Sequence, residues 1–170
     1  MVTLTIAADM GGQQRVVLRR DARWKSARDA TDAYRIRRRL GLRHRRFGVA
    51  EAVSFEGTLS AADVVLKLRA TTGLLHPTFL DPCSLACLEA AACGVPVITT
   101  RRNGAVERLG PAGAALVVDD PRDVEGLARA MEEIAEPTRS AELREAALGL
   151  RPSLDAQRHF DDVVDWLGVG

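Results

Sequence analysis

Much that would assign this sequence to a class at sight is missing from it. No apolar run reaches the ~18 residues needed to cross a bilayer. The opening MVTLTIAADM has neither a basic n-region nor a small-residue cleavage site. The expectation is a cytoplasmic protein, or one held peripherally at the inner face of a membrane. Cysteine is scarce: Cys83, Cys87 and Cys93 form an odd set clustered on one predicted helix and its flanks. Such a set makes no disulfide framework, and it lacks the two matching cysteine pairs of a structural zinc site. Reduced thiols packed as small hydrophobes are expected, with no metal and no cofactor. Neither G-x-G-x-x-G nor G-x-x-x-x-G-K-[ST] occurs, which removes the main support for dinucleotide oxidoreductases and P-loop nucleotidases. Repeats and low-complexity linkers are absent, and a formal net charge of +1 gives no global pull toward nucleic acid or membrane.

What is present fits one globular domain. A chain of 170 residues, 46% hydrophobic, can bury a proper core. Its charge is uneven, with thirteen Arg and Lys against three Asp between Arg15 and Arg46. Such a block suits RNA, anionic lipid or a phosphorylated substrate. Without interleaved aromatics or a nucleic-acid module, a solvated helix and loop is the simpler reading, and nucleic acid is not expected as a partner.

Two textures alternate along the rest of the chain. Short β-rich runs at 2–6, 52–55, 73–76, 95–99 and 114–118 are separated by segments with apolar residues at helical intervals. The segment after Ser60 places Val64, Val65 and Leu68 together. A helix opened by Asp120 as N-cap and Pro121 places Val124, Leu127, Ala128, Met131 and Ile134 together. A last amphipathic helix runs from about Ser153 to Leu167. Strands apolar on both faces and joined by helices predict an α/β, Rossmann-like parallel sheet with helices on both faces.

The stretch DPCSLACLEA, residues 81–90, carries the clearest chemical signal. It follows the run GLLH and enters a helix, the place where open parallel sheets collect ligands. Ser84 is a candidate helix cap. The turn Cys83, Ser84 and Leu85 is the candidate phosphate site, since amides at a helix start lack intrahelical acceptors and attract anions. Asp81 stands at the mouth of that site. Glu89 sits in an otherwise apolar run, where an unpartnered buried carboxylate is costly. It is expected to accept hydrogen bonds from vicinal hydroxyls on a ligand. Hydroxyls on either side of a diphosphate describe a nucleotide sugar. A Cys-His nucleophile built on Cys83 and His76 has no third residue to orient the base.

The region from Ala52 to Ile134 resembles the donor-binding domain of retaining, two-domain (GT-B) glycosyltransferases of family 4, the glycosyl transferases group 1. It is most similar to members like the lipopolysaccharide-core glucosyltransferases. The signature is an acid (Asp81), seven residues, Glu89-Ala90, and then Cys93-Gly94-Val95-Pro96-Val97. The resemblance implies that Asp81 contacts the donor sugar and that Cys83, Ser84 and Leu85 face the diphosphate. It implies that Glu89 holds the ribose and that Gly57, Thr58 and Leu59 border the nucleobase. A UDP-sugar is expected over a GDP-sugar, and no catalytic residue is assigned. The chain departs from the family pattern in showing no acceptor-binding domain and no basic pair at the start of the donor domain. Residues 1–50 therefore read as a partial strand with a basic helical or disordered segment, and 51–170 as the donor domain, the C-terminal half of a GT-B architecture. The implied function is hexosyl transfer in cell-envelope glycan synthesis, with a separate acceptor-domain chain as partner and self-association through the last helix. The alternative is a non-catalytic nucleotide-binding remnant or split subunit.

Overall fold

The computed structural model describes residues 2–8, 14–20, 53–57 and 59–168. Its centre is a six-stranded sheet in the order β3-β2-β1-β4-β5-β6. The strands are β1 (Val2–Ala8), β2 (Gln14–Arg20), β3 (Val53–Gly57), β4 (Gly73–His76), β5 (Val97–Thr100) and β6 (Ala115–Val118). The half formed by β1, β4, β5 and β6 is parallel, with Leu74 opposite Val97 and His76 opposite Thr99. The other half is an antiparallel meander, β1 to β2 to β3. β2 occupies the start of the basic block, where a helical or disordered segment is expected from the sequence. Its β-branched Val16-Val17 pair followed by Leu18 suits a strand, and it pairs along the whole length of β1. Arg23 to Arg46 lie outside the described residues.

Among the described residues, six helices accompany the sheet: α1 (Ala61–Arg69), α2 (Leu85–Ala92), α3 (Val106–Leu109), α4 (Val124–Ala135), α5 (Pro137–Gly149) and α6 (Ala156–Leu167). β4 and β5 are buried at every position, which explains why these runs are apolar without alternation. Leu74 and Val97 join a cluster with Val64 and Leu68 of α1, Cys87, Ala90 and Ala91 of α2, and Ala147 of α5. Their neighbours Leu75 and Ile98 point to the opposite face by the period of two, where α4 packs with Leu127, Met131 and Ile134 buried. Helices thus cover both faces of the parallel half.

Local signals account for most boundaries. Ser60 caps α1, its side-chain oxygen accepting from the Asp63 amide at 3.2 Å. α2 stops in a Schellman turn: Gly94, at φ 73°, donates to Ala91 O and Val95 to Ala90 O, both at 2.8 Å. A side chain there would also strike Leu148 of α5. The expected start of α4 at Asp120-Pro121 is one turn early. Asp120 instead turns the chain by accepting from the Arg122 amide at 2.7 Å, and Asp123 is the cap, accepting from the Gly126 amide at 2.9 Å. The last helix likewise resolves into a 3-10 turn (Arg151–Leu154) and α6, capped by Asp155.

Candidate functional site

The site lies where β4 and β5 run out into their loops. Asp81 and Asn103, one on each loop, form an isolated parallel bridge beyond the sheet. The Asp81 amide donates to Arg102 O at 3.1 Å, and the Gly104 amide donates to Asp81 O at 2.9 Å. The loops touch so closely that a Cβ on Gly104 would stand 1.8 Å from the carbonyl oxygen of Pro82. Only glycine permits that approach.

Asn103 ties this junction to α2. It is 1% exposed, and its Oδ1 accepts from the amides of Ala105 (3.1 Å) and Ser84 (3.4 Å). Its Nδ2 donates to Thr99 Oγ1 at 2.9 Å and lies 3.3 Å from Cys87 Sγ. Thr99 Oγ1 in turn donates to His76 O at 2.8 Å. A buried amide with both ends satisfied fixes two loops and a helix in one arrangement. Sequence reasoning gives Asn103 no such role; the Asn103-Gly104 pair at a strand end is a turn signal, but the partners come from elsewhere in the chain. Burial pushes the Cys87 thiol up to about 11, against the opposing effect of hydrogen bonds from Ser84, Asn103 and Thr99. Cys87 is therefore a packed thiol, as its spacing suggests.

The expected site residues divide into two groups. Cys83, Leu85 and Glu89 line a groove of about 440 Å³ together with Leu88 and Ala92. Glu89 is exposed, so the premise of a buried carboxylate on a core-facing helix is corrected. Cys87, Ala90 and Ala91 face the core, whereas Leu85, Leu88, Glu89 and Ala92 repeat at helical spacing on the outer side. The far wall is Ser153, Leu154, Asp155, Ala156 and His159, and Arg108 of α3 closes one end, its Nη1 donating to Ser153 O at 3.0 Å. Nothing in the sequence pattern brings that wall to α2.

Asp81 and Ser84 do not line the groove; both belong to the junction of the two loops. Asp81 Oδ1 accepts from the Cys83 amide at 3.1 Å, and Oδ2 lies 3.3 Å from His76 Nε2. Ser84 is buried and is the N-cap by position, but its hydroxyl makes no capping bond and its amide is directed at Asn103. Two of the three amides expected at a diphosphate, those of Cys83 and Ser84, thus have acceptors inside the protein. Leu85, the first helical residue, has an amide without an intrahelical acceptor. Leu59 packs against the core cluster and does not line the groove; Gly57 ends β3, and Thr58 lies outside the described residues.

A family model described as glycosyl transferases group 1 matches residues 13–137. The chain is 31% identical over 113 residues to a glycogen synthase of Mycobacterium tuberculosis, covering 65% of this chain and 27% of that protein. It is 32% identical over 124 residues to a D-inositol 3-phosphate glycosyltransferase of Acidothermus cellulolyticus, covering 72% and 26%. The chain thus spans about a quarter of the length of these relatives. Among solved structures, a sucrose-phosphate synthase from Thermosynechococcus elongatus aligns with a TM-score of 0.62 at 21% identity, over 86% of this chain and 43% of that one. WaaG, a glycosyltransferase involved in lipopolysaccharide biosynthesis, aligns with a TM-score of 0.59 at 23% identity, over 68% and 31%. These two share the fold.

Proposed function

The chain belongs to the glycosyl transferases group 1 family, and from that premise we propose that it binds the nucleotide-sugar donor of a retaining, family 4 hexosyl transfer. The observation that carries this reading is Glu89, an exposed carboxylate on the outer face of α2, lining a largely apolar groove that begins at the helix N-terminus beside Cys83 and Leu85. The carboxylate suits the two ribose hydroxyls, since its two oxygens can each accept one. The helix start suits the diphosphate. The apolar walls suit a planar base, and a UDP-sugar is favoured over a GDP-sugar.

Catalysis in this scheme is electrostatic. Negative charge grows on the departing diphosphate, and donors fixed at the helix N-terminus stabilise it without reorganising. Positioning an acceptor contributes separately, up to roughly 7–11 kcal/mol. That surface belongs to the rest of the enzyme, on the same polypeptide or on a separate one. Synthesis of a cell-envelope glycan is the setting we favour. A nucleotide-binding subunit without transferase activity is the second reading.

A thermal-shift panel of UDP, GDP, UDP-glucose and GDP-mannose tests the proposal, because a ligand bound only by the folded state raises the melting temperature. A concentration-dependent rise with UDP-glucose above that with UDP is expected. No rise with any of the four sinks the donor-binding reading. Release of glucose to an acceptor only after an acceptor-binding chain is added favours the enzyme over the remnant.

A further inference from the structure

His76, the last residue of β4, is buried at 5% exposure and takes no part in the groove. Its Nε2 lies 3.3 Å from Asp81 Oδ2, across the loop that leads to α2. The other carboxylate oxygen accepts from the Cys83 amide at 3.1 Å. The main chain of Asp81 is held on both sides, by Arg102 O and by the Gly104 amide. His76 is held as well, through its carbonyl and Thr99 Oγ1. The imidazole is thus mounted on the central sheet and the carboxylate on a pinned loop. The Asp81 side chain still keeps 24% exposure. Each carboxylate oxygen carries two acceptor sites, so one on each remains after the internal bonds are counted.

We propose that His76 is a positioning residue for donor-sugar recognition. Its Nε2–H donates to Asp81 Oδ2 and fixes the direction in which the remaining acceptor sites of the carboxylate face the sugar hydroxyls. Asp81 is short, so its reach is set by the main chain and its aim by these two donors. This rests on the donor-binding reading above and goes beyond it. A buried strand residue, acting through the loop acid, then decides which hydroxyl pattern is accepted.

The test is calorimetry on the whole chain, wild type against H76L, H76Q, D81N and the H76L/D81N pair. The probes are UDP-glucose and GDP-mannose, with UDP and GDP as sugar-free controls. H76L is expected to lower affinity for the bound nucleotide sugar about tenfold, the size of one charge-assisted hydrogen bond, and to leave the bare nucleotide within about twofold. H76Q, whose amide offers a donor near the Nε2 position, restores most of the loss. The double variant loses no more than D81N alone, because the histidine acts only through the aspartate. Equal losses for nucleotide and nucleotide sugar, or additive losses in the double variant, overturn the proposal and leave His76 a structural residue. Wild-type protein that binds none of the four probes overturns the donor reading and this proposal together. If H76L does not fold, H76N replaces it, its shorter amide stopping short of Oδ2.

Discussion

Helix α2 is apolar almost all round, and α6 has one apolar and one charged side. Burial follows the reverse of what amphipathicity alone suggests. Cys87, Ala90 and Ala91 of α2 are completely buried, whereas no residue of α6 is, with Phe160 64% and Trp166 84% exposed. The small residues of α2 let it lie close on β4 and β5, while its outer leucines and Glu89 wall a groove. A helix set between a core and a groove has two sides to match and no purely solvent side. α6 carries a stronger pattern and, among the described residues, touches little that would cover it. Apolar periodicity reports which side of a helix seeks company; it does not report whether the company is there.

The sharpest way to break α2's side of this contrast is at the junction that anchors its first turn. Gly104→Ala puts a methyl group against Pro82 O, and no rotamer can relieve a clash with backbone. The expected loss is on the order of 3 kcal/mol or more, a fall in melting temperature of roughly 6–12 °C. A melt within a degree of wild type would mean that the two loops do not touch.

Cys87 gives a pH test of the core-facing side. Its folded-state value of about 11 exceeds the ordinary 9.0, so between those values the folded chain holds the proton and the unfolded chain releases it. The stability conferred is fully present below pH 9 and is lost as pH rises toward 11, by about 2–3 kcal/mol. Urea titrations of wild type and Cys87→Ala across that range should show the extra slope in the wild type alone. Parallel slopes would place the thiol in contact with water.

On the groove side the effect moves from stability to affinity. Glu89→Gln should leave stability within ~0.5 kcal/mol, as befits an exposed position, and weaken nucleotide binding by about 1–2 kcal/mol. Unchanged UDP binding in calorimetry removes Glu89 from the site. The smallest stability change is expected in α6. Phe160→Ser with Trp166→Ser should shift stability by no more than ~0.5 kcal/mol while reducing concentration-dependent self-association in sedimentation. A melting temperature many degrees lower would show that the face is already covered.

These contrasts also mark how far the sequence reaches. β4 and β5 are readable because both faces are covered, leaving unbroken apolar runs; the caps at Ser60 and the stop at Gly94 are local chemistry. α5 carries almost no periodic signal, burying little beyond Leu143 and Ala147, and it is not apparent from the pattern. The candidate site is legible in its residue types and much less so in its partners. The spacing of Asp81 and Glu89 places both acids near one helix start, yet Asp81 turns inward to His76 and Glu89 outward to a wall made by residues 153–159. Asn103 organises the whole junction through contacts set by tertiary juxtaposition, which no local window contains.

That junction has a kinetic meaning. Asn103 to Ser84 and Thr99 to His76 join positions 19 and 23 residues apart, through a parallel pairing that must close a helix-containing loop first. The mouth of the groove cannot be assembled piecemeal, since it exists only once β4 and β5 are side by side. A chain part-way to its fold offers no helix start pinned by Asn103. A ligand that reads this corner therefore counts finished molecules, and it should act as a brake on unfolding without hastening the search that precedes it.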